Sequence, residues 1–283
     1  MRIKLTVFSL ALISAFSIQA QKIELGLMGG LSLYSGDLSP KEFGLYFNDI
    51  NAAYGVFARY SPSTKLSLRL AFEQAHIEGK DANNSDPARR KRGYNFRSIV
   101  NEASLLVEWN VFSIGREGGV QLIPYLFAGG AYYSFNPQGQ LNNDWIDLQP
   151  LGTEGQGLPG YAAPYELSQF AIPIGGGFKL NLNKNVVLGF ELGARKLFTD
   201  YLDDVSGTQP VSYFDVRDGN GETAAFFSRP QFKGDQDITY TRGGKFMDWY
   251  YIGNVTLSFR IGDRSGITGG GRGRGIGCPG NNF

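Results

Sequence analysis

LSLRLAFE, residues 66–73, alternates without a break: Leu66, Leu68, Leu70 and Phe72 fall on one side of an extended chain and Ser67, Arg69, Ala71 and Glu73 on the other. A period of two is the signature of a strand with one apolar and one polar face. Slipping the register by one residue would drive Arg69 and Glu73 into the apolar side, so the pairing is firmly specified. The short turn Ser61-Pro62-Ser63-Thr64-Lys65 precedes it. On the other side of that turn, 51–60 puts Ala52, Tyr54, Val56, Ala58 and Tyr60 outward and Asn51, Gly55, Phe57 and Arg59 inward, which completes a hairpin.

The same pattern extends along the chain to a total of eight strands. Residues 23–34 send Ile23, Leu25, Leu27, Gly29, Leu31 and Leu33 outward, with Glu24 and Met28 opposite. Residues 99–111 send out Ala103, Leu105, Val107, Trp109 and Val111, against Glu102, Ser104, Glu108 and Asn110. In 122–135 the reading puts Ile123, Tyr125, Phe127, Ala131 and Tyr133 outside, and in 168–182 Phe170, Ile172, Ile174, Phe178 and Leu180. The segment 186–198 opposes Val186, Leu188, Phe190 and Leu192 to Glu191 and Arg195. The last, 247–261, opposes Trp249, Tyr251, Val255, Leu257, Phe259 and Ile261 to Asp248, Asn254, Thr256 and Arg260.

These segments predict an all-β fold, an eight-stranded antiparallel transmembrane β-barrel spanning 21–262, with an apolar outside and a polar inside. No run of 18 apolar residues follows the leader, so a helical span is excluded. The leader itself is 1–20: Arg2 and Lys4, an apolar run over 5–16, and small residues up to Ala20, the pattern of a signal peptide. Gln21 follows where a lipid-anchored protein would carry Cys. With 39 Gly, 15 Tyr and 21 Phe in 283 residues, the composition suits close-packed strands with aromatic girdles.

An even strand count brings both barrel ends to one side, the periplasm, for an integral outer-membrane protein. The connections 35–50, 78–97, 136–167 and 199–245 are then the long extracellular loops, the last long enough for a small hairpin or lid. A net charge of +1 argues against a nucleic-acid partner.

Parity directs Glu24, Glu73, Glu102, Glu108 and Glu191 inward together with Arg59, Arg69, Lys179, Arg195 and Arg260. Five acids and five bases in a lumen wide enough only for side chains predict an ionic plug. A charge-lined conducting path is the alternative. No enzyme is expected. The single histidine, His76, could join Asp200, Asp203 and Asp204 in a hydrolase rim, but acidic loops are more often solvated. Gly175-Gly176-Gly177 lies in a strand and opens no helix, so it forms no phosphate loop. No metal spacing and no cofactor motif is present.

Residues 263–283 are rich in glycine and read as a flexible periplasmic tail, with Arg264, Arg272 and Arg274 available to a partner. Cys278, the one cysteine, sits in an exported chain and has no intramolecular mate, so it is a candidate for an intermolecular disulfide.

Five segments carry a family resemblance: GGLSLYSGDL (29–38), LRLAFEQAHIEG (68–79), RGYNFRSIVNEASLLVEWN (92–110), PYLFAGGAYYSFNP (124–137) and LGFELGARKLFTDYLDDVSG (188–207). Together they resemble the PorG-type barrels of the type IX secretion system of Bacteroidota, most specifically in FTDYLDDVSG. The resemblance implies a non-enzymatic accessory component that anchors a periplasmic ring, made of a PorK-like lipoprotein and a PorN-like protein, to the outer membrane. It also implies a cysteine link to the ring lipoprotein, which Cys278 would supply. The competing expectation is a small outer-membrane porin or adhesin-like barrel that binds through its extracellular loops.

Overall fold

A computed structural model describes residues 22–41, 43–115, 120–207, 209–244 and 246–261. The leader at 1–20 and the tail residues Arg264, Arg272, Arg274 and Cys278 lie outside the described residues. Eight long strands dominate: β1 (Lys22–Ser35), β2 (Asn51–Ser61), β3 (Leu66–Lys80), β4 (Asn95–Asn110), β5 (Gln121–Ser134), β6 (Ser168–Asn181), β7 (Val186–Leu197) and β8 (Trp249–Ile261). Each pairs antiparallel with its neighbour in sequence, and β8 pairs with β1, so the sheet closes on itself.

The stagger of that closure can be followed residue by residue. From Ile23 the paired partners run through Tyr60, Leu68, Val107, Ala128, Ile174, Ala194 and Tyr251, and return to β1 at Leu33, ten residues further along. With ~3.3 Å per residue and ~4.8 Å between strands, this corresponds to a strand tilt of about 40°. The outer wall is a belt of exposed apolar side chains, among them Leu27, Leu70, Leu105, Phe178 and Phe190. On β1 it runs from Ile23 to Leu31, about 20 Å of height at that tilt. A continuous apolar exterior of this size is stable only against hydrocarbon.

Strand five departs from the expected parity. Tyr125, Phe127, Ala131 and Tyr133 point into the barrel and are buried, while Leu126 and Tyr132 face out. The segment is apolar or small on both faces, so alternation alone fixes no side. What fixes it is the interior. Gly175 and Gly193 leave the space that the Phe127 ring fills, since a Cβ on Gly175 would stand 2.5 Å from Phe127 Cζ. Lys179 Nζ lies 4.4 Å from the Tyr125 ring centre and the Arg69 guanidinium 5.2 Å from that of Phe127. Cations inside the barrel draw the aromatic faces inward. Leu33 and Tyr251, expected to face lipid, are also buried, at 6% and 8% exposure.

The connections from β2 to β3, from β4 to β5 and from β6 to β7 are short and leave the strands at the end of the barrel where β1 begins and β8 ends. The connections 36–50, 81–94, 135–167 and 198–248 are long and occupy the other end. They carry one helical turn, α1 (Pro87–Arg90), a hairpin of Gln138–Leu141 with Asp144–Asp147, and two short helices, α2 (Tyr213–Asn220) and α3 (Glu222–Ser228). Ser212 accepts the Asp215 amide at 3.1 Å and caps α2. Val211, Val216, Ala224 and Ala225 give this last connection a small core of its own.

Candidate functional site

The interior is built in three layers. Deepest, toward the turn end, Glu108 receives three cations: Arg59 Nε at 2.8 Å, Arg69 Nε at 3.1 Å and Lys179 Nζ at 2.5 Å. Arg59 also reaches Glu24 at 2.6 Å, and Arg260 Nε closes on Glu24 at 2.8 Å. Arg69 donates to Glu191 at 2.5 Å, and the Tyr125 hydroxyl bonds the same carboxylate. Four cations and three anions thus form one connected cluster. Further up, Arg195 bridges Glu73 at 2.9 Å and Glu102 at 3.1 Å, giving a second cluster with the opposite excess. The ten charged side chains named from parity are therefore all engaged in ion pairs. Polar neighbours add hydrogen bonds to the second cluster: Asn254 donates to Glu73 at 2.7 Å and Tyr250 to Glu102 at 2.6 Å. These ion pairs offset much of the cost of taking the charges out of water, although Arg59 Nε, Arg69 Nε and Glu108 Oε1 are buried in ion-pair contact without an aligned hydrogen bond.

Above the charges lies an apolar layer. Tyr34, Ile77, Phe96, Val100, Tyr133 and Ile252 pack across the barrel and join Leu38, Leu202 and Val205 from the long connections. An aromatic column continues the layer upward, with Tyr133 on Phe135 (5.6 Å), Phe135 on Tyr165 (6.3 Å) and Tyr165 on Tyr201 (4.6 Å).

The third layer is a cap, held by buried polar groups. Arg242 is its hub: Nη1 donates to Thr153 Oγ1 at 2.6 Å and to the Asp204 carbonyl at 2.6 Å, lies 3.4 Å from Glu154, and Nη2 donates to the Phe227 carbonyl at 3.1 Å. Asp204 further accepts from Thr153 and from Tyr165, at 2.5 and 2.7 Å. Arg92 pairs with Asp81 at 2.7 Å and donates to the Arg242 carbonyl, so all four long connections are tied together through Asp37, Asp81, Arg92, Glu154 and Arg242. The acidic run beyond β7 is not solvated as expected. Asp203 and Asp204 are buried, whereas His76 lies on the outer face of β3, so these residues share no site. A cleft bordered by Tyr94, Leu148, Phe227 and Arg242 holds about 40 Å³, room for a water or two.

Alternation places Asp248 on the inner side, where it is buried, but Arg242, Glu154 and Asp37 lie in loops that no alternation marks. Burial pushes the Glu154 carboxyl up to about 7 despite Arg242. Burial, reinforced by neighbouring aspartates, raises Asp203 and Asp248 well above the usual carboxylate range. Tyr34 Oη bridges these two, 2.5 Å from Asp203 Oδ2 and 3.1 Å from Asp248 Oδ1. The folded cap therefore keeps protons that the unfolded chain releases. For Glu154 the associated stability is complete below its ordinary 4.5 and is lost as pH rises to about 7, a loss of about 3 kcal/mol. Amide exchange of 199–248, corrected for its intrinsic pH dependence, is expected to lose protection between pH 5 and 8. Glu154→Gln should remove part of that loss, and equal slopes in both proteins would contradict the assignment.

No curated protein matches the chain in sequence. Among solved structures, the N-terminal barrel of Pseudomonas aeruginosa OprF aligns over 85% of this chain and 97% of its own, at 13% identity and a TM-score of 0.36. Neisserial surface protein A aligns over 86% and 100%, at 9% identity and 0.39. A major outer membrane protein of Thermus thermophilus aligns over 86% and 100%, at 12% identity and 0.39. The model of one family, described as a domain of unknown function (DUF6089), matches residues 3–247, most of the chain, and the protein belongs to that family.

Proposed function

We propose that this chain is an integral outer-membrane barrel that acts by attachment: a non-enzymatic accessory component of a secretion machine, anchoring a periplasmic ring of PorK-like and PorN-like proteins. In this orientation the short turns, both barrel ends and residues 263–283 lie in the periplasm, and the cap faces outside. The observation that supports the reading is the filled lumen. Ten paired charges beneath an apolar layer and a tied-down cap leave no passage for cargo. The resemblance in FTDYLDDVSG supplies the partner.

The ordered cap, with its own small core, favours a second reading, a small outer-membrane barrel that binds a ligand through its loops. The two readings act on opposite sides of the membrane. Deleting 264–283 should abolish recovery of the ring with the barrel and stop secretion if the anchor reading holds. Intact secretion in the deletion strain favours the second reading. For Cys278, the expected result is a higher-mass species in non-reducing electrophoresis that Cys278→Ser abolishes; a monomer band in both removes the disulfide.

A further inference from the structure

The connection between β1 and β2 joins the cap through its first residues, Asp37, Leu38 and Ser39. From Phe43 onward it folds back along the outside of the wall. Ser35, Leu33, Trp249 and Tyr251 point outward by parity, yet Ser35 is fully buried and Leu33 and Tyr251 nearly so. The loop lies against this face: the Gly44 amide donates to Ser35 Oγ at 3.0 Å, and the Phe43 ring meets Trp249 edge-on at 5.7 Å. Its far end is fastened by Asn83, whose Nδ2 donates to both carboxylate oxygens of Asp49, at 3.0 and 2.7 Å. The turn is made at Gly44, with φ of 152°, where a Cβ would stand 2.5 Å from the Tyr46 hydroxyl.

Having covered one apolar surface, this strap presents another. Leu45, Phe47 and Ile50 are 43%, 70% and 43% exposed, and Phe43, though it touches Trp249, is still 56% exposed. The strap adjoins the exposed belt at both ends: Phe43 stands on Trp249, which pairs with Ser35 beyond the exposed Leu31, and Ile50 leads directly into β2 and its exposed Ala52. Lys41 and Lys196 are exposed beside them, an arrangement of apolar anchors with flanking cations suited to the boundary between acyl chains and phosphate headgroups. We infer that residues 43–50 form an interfacial strap that rests in the lipid leaflet at the loop end of the barrel. The occupant of this face is lipid, because the face is unbroken from a belt whose only stable surroundings are hydrocarbon. Lipid contact at the strap is independent of what the barrel anchors.

The test uses the full chain carrying Cys278→Ser, reconstituted in vesicles of phosphatidylcholine and phosphatidylglycerol. A nitroxide is attached at Phe47→Cys, with Leu70→Cys in the belt and Lys91→Cys on an exposed loop as references, and electron paramagnetic resonance saturation compares collisions with oxygen and with a water-soluble nickel chelate. The expected oxygen-to-nickel ratio at 47 is several-fold above that at 91 and approaches that at 70. A ratio equal to that at 91 places the strap in water and overturns the inference. Exclusion of both reagents overturns it too, by placing a protein contact on this face.

Discussion

Glu108→Leu is expected to lower the stability of the barrel by about 3–5 kcal/mol, because it removes the anion shared by three buried cations. After the substitution Arg59 keeps Glu24 and Arg69 keeps Glu191, but Lys179 is left with the Asn110 side-chain oxygen at 3.0 Å and the face of Tyr125. An ammonium held in a dry lumen by neutral groups alone is strongly disfavoured. The double substitution Glu108→Leu with Lys179→Met removes an anion and a cation together. It should recover a large part of the loss, since breaking a buried pair costs more than replacing both members by apolar groups. Urea midpoints of the reconstituted barrel, read by the heat-modifiable mobility of the folded form, measure both. A double variant no more stable than Glu108→Leu would mean that Lys179 is not the stranded partner.

Arg242→Met is expected to free the cap while leaving the barrel folded. The substitution leaves Glu154 and Asp204 buried without their cation and deprives the Asp204 and Phe227 carbonyls of a donor. The cost, again about 3–5 kcal/mol, falls on the long connections alone. Limited proteolysis should therefore cut within 149–167 or 199–248 much faster than in the unsubstituted protein, with the heat-modifiable band preserved. Equal protection of the cap would show that the apolar layer holds it without the arginine.

How far the sequence could be read depended on where charges stand. In β3, Arg69 and Glu73 mark the inner face at every other position, and the ten interior charges follow by counting in twos. In β5 the run LIPYLFAGGAYYS contains no charge, and counting in twos has no origin. The missing information lies on other strands, in Gly175 opposite Phe127 on β6 and Gly193 beyond it on β7, and becomes legible only once the register is known. The cap was illegible for a different reason. Asp204 meets Arg242 38 residues further along the chain, a pairing set by tertiary contacts that no local periodicity records. Likewise nothing in the alternation of β1 announces that Ser35 is covered by the loop that follows it.

The filled lumen is the feature on which attachment, as opposed to passage, rests. Ion conductance of the purified full-length barrel across a planar lipid bilayer tests it most directly. The expected record is flat, with no stepwise opening at moderate voltage, in the unsubstituted protein. Steady, reproducible conductance steps from that protein would contradict it, and would return the paired charges to the role of a conducting path.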